Sequence, residues 1–312
     1  DSLTQTLTVS NTGGSNLNVS SIVPGSASLG TLFKTGYVCN YSSNTVSVLN
    51  LSNGSIITTI AVGSSPWRVA IRPDSKFAYI SNRFGNSVSV INTTTNTVAA
   101  TIAIGGNPSG VSITPDSKFA YVGDQTNNDV KKIDCATNTI IATINNANLN
   151  DPEEIMITPN GQFAYITTLG SGVTVINTST YAVVANIPGF NGAHSIVFSL
   201  NGAFAYISNS YITTVWVINT STHTLAQTIN GFNQPYGLDI SKDGNLIYVM
   251  DRGIDRVAVV SVSTNTIVDS IYDARLNNGW DLVISPDGKY AYISSSAPNV
   301  TTEDVMILDL AT

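Results

Sequence analysis

The sequence predicts an all-β fold, a single seven-bladed β-propeller. Three observations carry this. A short apolar pattern with a central tyrosine recurs seven times, at Tyr37, Tyr79, Tyr121, Tyr165, Tyr206, Tyr248 and Tyr292. The spacings are 42, 42, 44, 41, 42 and 44 residues, the period of a four-stranded propeller blade. Between repeats the apolar residues alternate with a period of two, which suits strands and not helices.

Each repeat parses alike. In the second, an inner strand at Val69-Ala70-Ile71 leads through the turn Pro73-Asp74-Ser75-Lys76 to Phe77–Ser81. Pro pre-sets φ there and Asp bonds the backbone ahead. Strand c follows at Ser87–Ile91, then the turn Asn92–Asn96 and an outer strand over Val98–Ile104. Every unit is thus a four-stranded antiparallel meander. The blades fall near 15–62, 66–104, 109–147, 153–187, 194–230, 236–272 and 280–309, so that 1–312 reads as one domain.

The last repeat ends after its third strand, near 305–309. Residues 1–10, containing Leu3–Val9, supply a fourth. Pairing there would close the ring and remove open sheet edges. A second reading of the same segment stays open: Val9-Ser10-Asn11-Thr12-Gly13 resembles the turn of Ig-like modules, which would make residues 1–24 the remnant of an upstream domain.

Composition narrows the function. Charged residues are 11% of the chain, far below the roughly 25% of ordinary soluble proteins. A net charge of −7 argues against nucleic acid, which needs clustered Lys and Arg. No apolar run reaches the roughly 18 residues of a membrane span. The chain starts at Asp1 without a Met and reads as processed or excised from a longer surface protein or assembly. Its Asn- and Thr-rich, lysine-poor surface suits a secreted or cell-surface protein. Cys39 and Cys135 lie in different repeats and read as small buried hydrophobes.

Strand order assigns the faces. The d-to-a and b-to-c loops share one face, the top, and residues just before strand a ring its channel mouth. Two blades carry Pro-x-Gly there, Pro108-Ser109-Gly110 and Pro235-Tyr236-Gly237. Others carry Pro66-Trp67-Arg68, Pro152-Glu153-Glu154, Ala193-His194-Ser195 and Gly279-Trp280-Asp281. The candidate ligand-binding set is therefore Trp67, Arg68, Glu153, Glu154, His194, Tyr236, Trp280 and Asp281. A few polar groups among aromatics in a concavity make a ligand site. The competing reading is a plug, with Arg68 bridging Glu154 or Asp281.

Counted by loop, the top face holds five arginines (68, 83, 252, 256, 275) against eleven acids (124, 129, 151, 153, 154, 251, 255, 273, 281, 303, 304), a net −6. Such a face would steer basic partners or cations. No cofactor is firmly implied. Ca²⁺ is the metal this pattern admits, with Glu153, Glu154 and Asp281 as candidate ligands. Two His and two Cys on separate blades do not make a zinc site. His194 and Ser195 are strand neighbours that should point to opposite sides, so they do not read as base and nucleophile. His223 reads as a surface turn residue. Trp216, where sister blades have Ser47, Ser89 or Thr174, reads as a contact patch or a gap filler.

The text Tyr79-Ile80-Ser81-Asn82, Ser87–Thr93 and Thr95–Val98 resembles the YVTN β-propeller repeat family, a WD40-like group of surface-layer and other exported proteins. That resemblance covers almost the whole chain and implies a seven-bladed ring. Function is read from the mouth, and no catalytic set is evident. The leading expectation is a non-enzymatic surface module that recognises a protein or glycan through an acidic top face. The alternative is a hydrolase- or lyase-type enzyme at the mouth, with His194 or Glu154 as base and Arg68 on an anion.

Overall fold

The computed structural model describes residues 6–7, 17–21, 35–51, 53–169, 172–295 and 305–310. Seven four-stranded antiparallel sheets succeed one another along the chain. In the second blade the strands are Pro66–Ile71, Phe77–Asn82, Ser87–Asn92 and Thr97–Ala103, ordered from channel to rim. Two single-turn 3₁₀ segments, Arg252–Ile254 and Ala274–Leu276, are the helical elements among the described residues.

In the seventh blade the outermost strand comes from the chain's start. Thr6 pairs with Met306 and Leu7 with Val305, antiparallel. Leu17–Ser21 is the innermost strand of the first blade, paired with Thr35–Asn40. Both segments thus belong to blades of the ring, and the Ig-like reading is set aside.

The core lies between blades. Tyr37, Cys39, Val46 and Val48 of the first blade pack on Val69, Ile71, Ile80 and Ile91 of the second. Burying each such aliphatic side chain contributes roughly 1.5–3 kcal/mol. The rim strands are mostly exposed, as in Thr97–Ala103. Both cysteines are buried and free, and burial pushes the Cys39 thiol up to about 12.

The repeated tyrosine is a bridge as well as a core residue. Its ring is buried, and in six of the seven repeats its hydroxyl reaches the strand c–d turn of the next blade. Tyr37 donates to Asn96 Oδ1, Tyr79 to Asn138 and Tyr206 to Asn265, each at 2.9 Å. The three asparagines hold φ of 53–54°, a conformation Asn tolerates better than other side chains do. His223 takes this place in the fifth blade. It is half-buried with Nδ1 2.7 Å from the Tyr165 hydroxyl, so the expectation of a plain surface residue is corrected: the turn points its side chain into the interblade seam. Trp216 fills a gap, its ring 4.4 Å from that of Phe190.

Candidate functional site

The inner strands begin earlier than the sequence pattern suggested. Trp67 and Arg68 lie within Pro66–Ile71 and not ahead of it, and the other mouth pairs sit likewise. At this point the pairing register slips, between Pro66 and Arg68, Pro152 and Ile155, Ala193 and Ile196, Pro235 and Leu238, and Gly279 and Leu282. Such a bulge breaks strict alternation and re-aims side chains. Neighbours in sequence therefore face the same mouth, including His194 with Ser195 and Trp280 with Asp281. The expectation that His194 and Ser195 diverge is corrected on this ground, although Ser195 Oγ is spent on the Leu238 amide at 3.4 Å.

Seven of the eight candidates line one small cavity: Trp67, Arg68, Glu153, His194, Tyr236, Trp280 and Asp281, joined by Ser195 and Gly237. Glu154 stands behind Arg68. The free space is about 20 Å³, room for about one water.

Arg68 is the hub. Its guanidinium reaches from the second blade to Glu154 of the fourth at 2.9 Å and to Asp281 of the seventh. Glycines make room for both carboxylates. A Cβ on Gly110 would lie 2.8 Å from Glu154 Cα, and one on Gly237 would lie 2.5 Å from Asp281 Cα. The two Pro-x-Gly blades thus seat the charged blades beside them. Glu153 accepts from Trp67 Nε1 at 3.3 Å and from Gln125 Nε2 at 2.6 Å.

Burial sets the protonation states. Desolvation raises Glu154 to about 7 against the pull of Arg68, with Asp281 and Glu153 adding to the rise. Asp281 is also raised by burial, opposed by Arg68. Desolvation lowers His194 to about 4, and Arg68 and Arg252 add to this, so the imidazole is neutral at pH 7. His194 Nε2 and Arg68 Nε are buried without a hydrogen-bond partner. Asp239, three residues beyond Tyr236 on the inner strand Pro235–Ile240, is raised to about 6 by burial while accepting from the Ile284 and Ile240 amides at 2.8 Å. Sequence reasoning missed Asp239 and Gln125. The signal for Asp239 was its place where sister blades have Ala70, Ser112 or Val283.

Aromatics close the mouth. His194 stacks on Tyr236 at 4.2 Å and Tyr236 meets Trp280 edge-on at 5.0 Å. Arg252 lies 4.5 Å above Trp280, and Arg83 lies 4.6 Å above Trp67.

The acidic surface does not take the expected form. Of the nine acids in that count that are described, Asp124, Asp129, Glu153, Glu154, Asp251 and Asp281 are buried and Asp151, Asp255 and Asp273 half-buried. Asp251 binds Arg256 and the amides of Asn233 and Gln234, and Asp129 binds Lys131. These carboxylates tether loops. Glu303 and Asp304 lie outside the described residues. For the Ca²⁺ candidates, two of the three carboxylates already face a guanidinium, and no group of three or more His, Cys, Asp or Glu is arranged for a metal among the described residues.

A ring of seven four-stranded blades, with ionisable and aromatic side chains gathered at one channel mouth, defines a seven-bladed propeller with a candidate ligand mouth on its top face. The family model "Lactonase, 7-bladed beta-propeller" matches residues 32–157 and 142–302, and the chain belongs to that family. No curated protein matches the chain. Among solved structures, hydrazine synthase of Kuenenia stuttgartiensis is similar, with 22% identity, a TM-score of 0.78, and coverage of 89% of this chain and 93% of that one. That likeness speaks to fold alone.

Proposed function

We propose that this propeller is a non-enzymatic recognition module that takes a protein or glycan on its top face. One observation carries the reading: the centre of that face concentrates Trp67, Tyr236, Trp280, Arg83 and Arg252 over a cavity that holds about one water. Trp, Tyr and Arg are the residues that dominate interface hot spots. Around them the b-to-c loops of four blades expose Phe84, Leu169, Tyr211, Ile212 and Ile254. Apolar loop tips on one face suit a partner surface. The buried ion triad is then the rigid floor of this surface. The YVTN-like repeat text and the lysine-poor, Asn- and Thr-rich surface support a secreted or cell-surface setting within a larger surface protein or assembly. No helix among the described residues is long and apolar enough to cross a membrane.

The test is a glycan array and a panel of extracellular protein domains, probed with the wild type and with Trp280→Ala, Arg252→Ala and Tyr211→Ser. Binding that is lost in these variants supports the reading. Binders indifferent to all three overturn it.

A second reading rests on the unpartnered, neutral His194 Nε2 beside the cavity and on the chain's place in a lactonase family. Here an ester or lactone carbonyl enters from above, His194 accepts a proton as the oxygen of the water the cavity can hold adds to the carbonyl carbon, and the imidazolium returns that proton to the alkoxide as the acyl C–O bond breaks. Turnover of γ- or δ-lactones that disappears in His194→Ala would install this reading over the first. A flat panel removes it.

A further inference from the structure

On the face opposite the mouth, between the third and fourth blades, lies a cavity of about 280 Å³. Its walls include Asp116, Phe119, Tyr121 and Lys132 of the third blade and Asn160 and Ser179 of the fourth. The size is just under the ~300 Å³ at which small-molecule pockets usually begin.

Lys132 breaks the repeat. Its position on strand c is Val48, Val90, Val175, Val217 and Val259 in five sister blades and Ile307 in the seventh. All six are buried interblade residues. A lysine here is desolvated without an ion pair, since no carboxylate lies within bridging distance of its Nζ among the described residues. Its Nζ has two long contacts, to Thr178 O and Tyr181 Oη, both at 3.4 Å. It sits 4.1, 5.4 and 5.0 Å from the ring centroids of Phe119, Tyr121 and Tyr181. An ammonium has three donors, so one strong acceptor is still wanting.

The neighbouring blade breaks the repeat at the matching place. Tyr181 occupies the turn position that Asn96, Asn138 and Asn265 hold elsewhere, and keeps a φ of 61°, which a bulky aromatic rarely adopts. In this seam the Tyr121 hydroxyl donates instead to Thr178 O at 2.9 Å. Lysine and tyrosine have thus replaced valine and asparagine on the two sides of one seam, and a cavity lies beside them.

We propose that this seam is a second ligand site, taking a small monocarboxylate with a flat body, its carboxylate on Lys132 and its body against Phe119 and Tyr121. A cation is repelled by the ammonium that already fills the aromatic cage. A phosphate dianion is disfavoured because the site offers one cation and lies against Asp116, which the Thr114 hydroxyl and Lys118 hold ionised. The site is independent of the top-face reading.

Calorimetric titration with benzoate, inorganic phosphate and benzylamine tests this. The wild type is expected to bind benzoate saturably, and phosphate and benzylamine weakly or not at all. Lys132→Val, the residue of five sister blades, should weaken benzoate roughly tenfold to hundredfold, the worth of a charge-assisted hydrogen bond. Ser179→Trp, placed on an exposed turn, should block the cavity while leaving Lys132 and the core untouched, and melting scans confirm that both variants fold. Trp280→Ala should leave benzoate binding unchanged. No saturable benzoate binding to the wild type, full binding in Lys132→Val or Ser179→Trp, or tighter binding of phosphate than benzoate would each overturn the proposal.

Discussion

Arg68 of the second blade crosses the channel mouth to Asp281 of the seventh, while its other amino group holds Glu154 of the fourth. One guanidinium therefore ties its own blade to two others, through partners 86 and 213 residues away in sequence, and it does so largely out of water. Removing one partner of such a group leaves uncompensated buried charge. Arg68→Ala should cost about 3–5 kcal/mol in denaturant unfolding. Combining Arg68→Met with Glu154→Gln and Asp281→Asn should recover most of that loss. A single variant as stable as the wild type would show that the triad does not hold the mouth.

The same triad makes a pH prediction with a definite sign. Glu154 is raised from 4.5 to about 7 by folding. A raised folded pKa contributes stability in full below 4.5 and loses it as pH climbs through 7. Glu154→Gln mimics the protonated acid, so the melting temperature of the variant minus that of the wild type should increase from pH 5 to pH 8, by the equivalent of about 1–3 kcal/mol. His194 moves the other way. Its folded value is about 4 against 6.5, so its contribution is complete above 6.5 and lost toward 4, and His194→Gln should lessen the loss of stability below pH 6.

Because the guanidinium already occupies the space between Glu154 and Asp281, millimolar Ca²⁺ or chelator should leave the wild-type melting temperature unchanged. Arg68→Ala frees both carboxylates beside Glu153 and should acquire a Ca²⁺-dependent rise. A Ca²⁺-dependent wild type would instead favour a metal role for the three acids.

Ring closure rests on Thr6–Leu7 alongside Val305–Met306. Deleting residues 1–10 opens the sheet edge of the seventh blade. A loss of several kcal/mol is expected, read as a fall of roughly 2–4 °C in melting temperature for each kcal/mol. An unchanged melting temperature would mean that the seventh blade stands on three strands.

The tyrosine bridges should each be measurable. Tyr79→Phe removes the 2.9 Å bond to Asn138 and should cost about 1 kcal/mol. Asn138→Ala should cost more, because it loses the acceptor and places a less tolerant residue at φ 54°.

The ring itself was legible in the residues. Seven tyrosines at near-constant spacing, alternating apolar strands and Pro-Asp turns are local signals, and each blade repeats them, so errors in one are corrected by the others. The repeat also supplied a baseline: departures from it named Trp67, Arg68, Glu153, Glu154, His194, Trp280 and Asp281 as candidate mouth residues, and Tyr236 joined them from a blade that keeps the Pro-x-Gly pattern. What local pattern could not supply was direction and reach. The bulge after Pro66, Pro152 and Pro235 turns neighbouring side chains the same way, against the period-two rule. Six acids counted by loop as surface charge turned out to be buried, because backbone amides, Arg68, Arg256 and Lys131 sit within hydrogen-bond distance only once the loops are folded. Pairings such as Arg68 with Asp281, or Lys132 with Tyr181, join blades far apart in the chain or on opposite sides of a seam. Sequence alone determined that seven like units build one ring and which positions break the pattern. The closing of that ring decided which of those breaks meet, and electrostatics in the resulting low-dielectric space decided their charge.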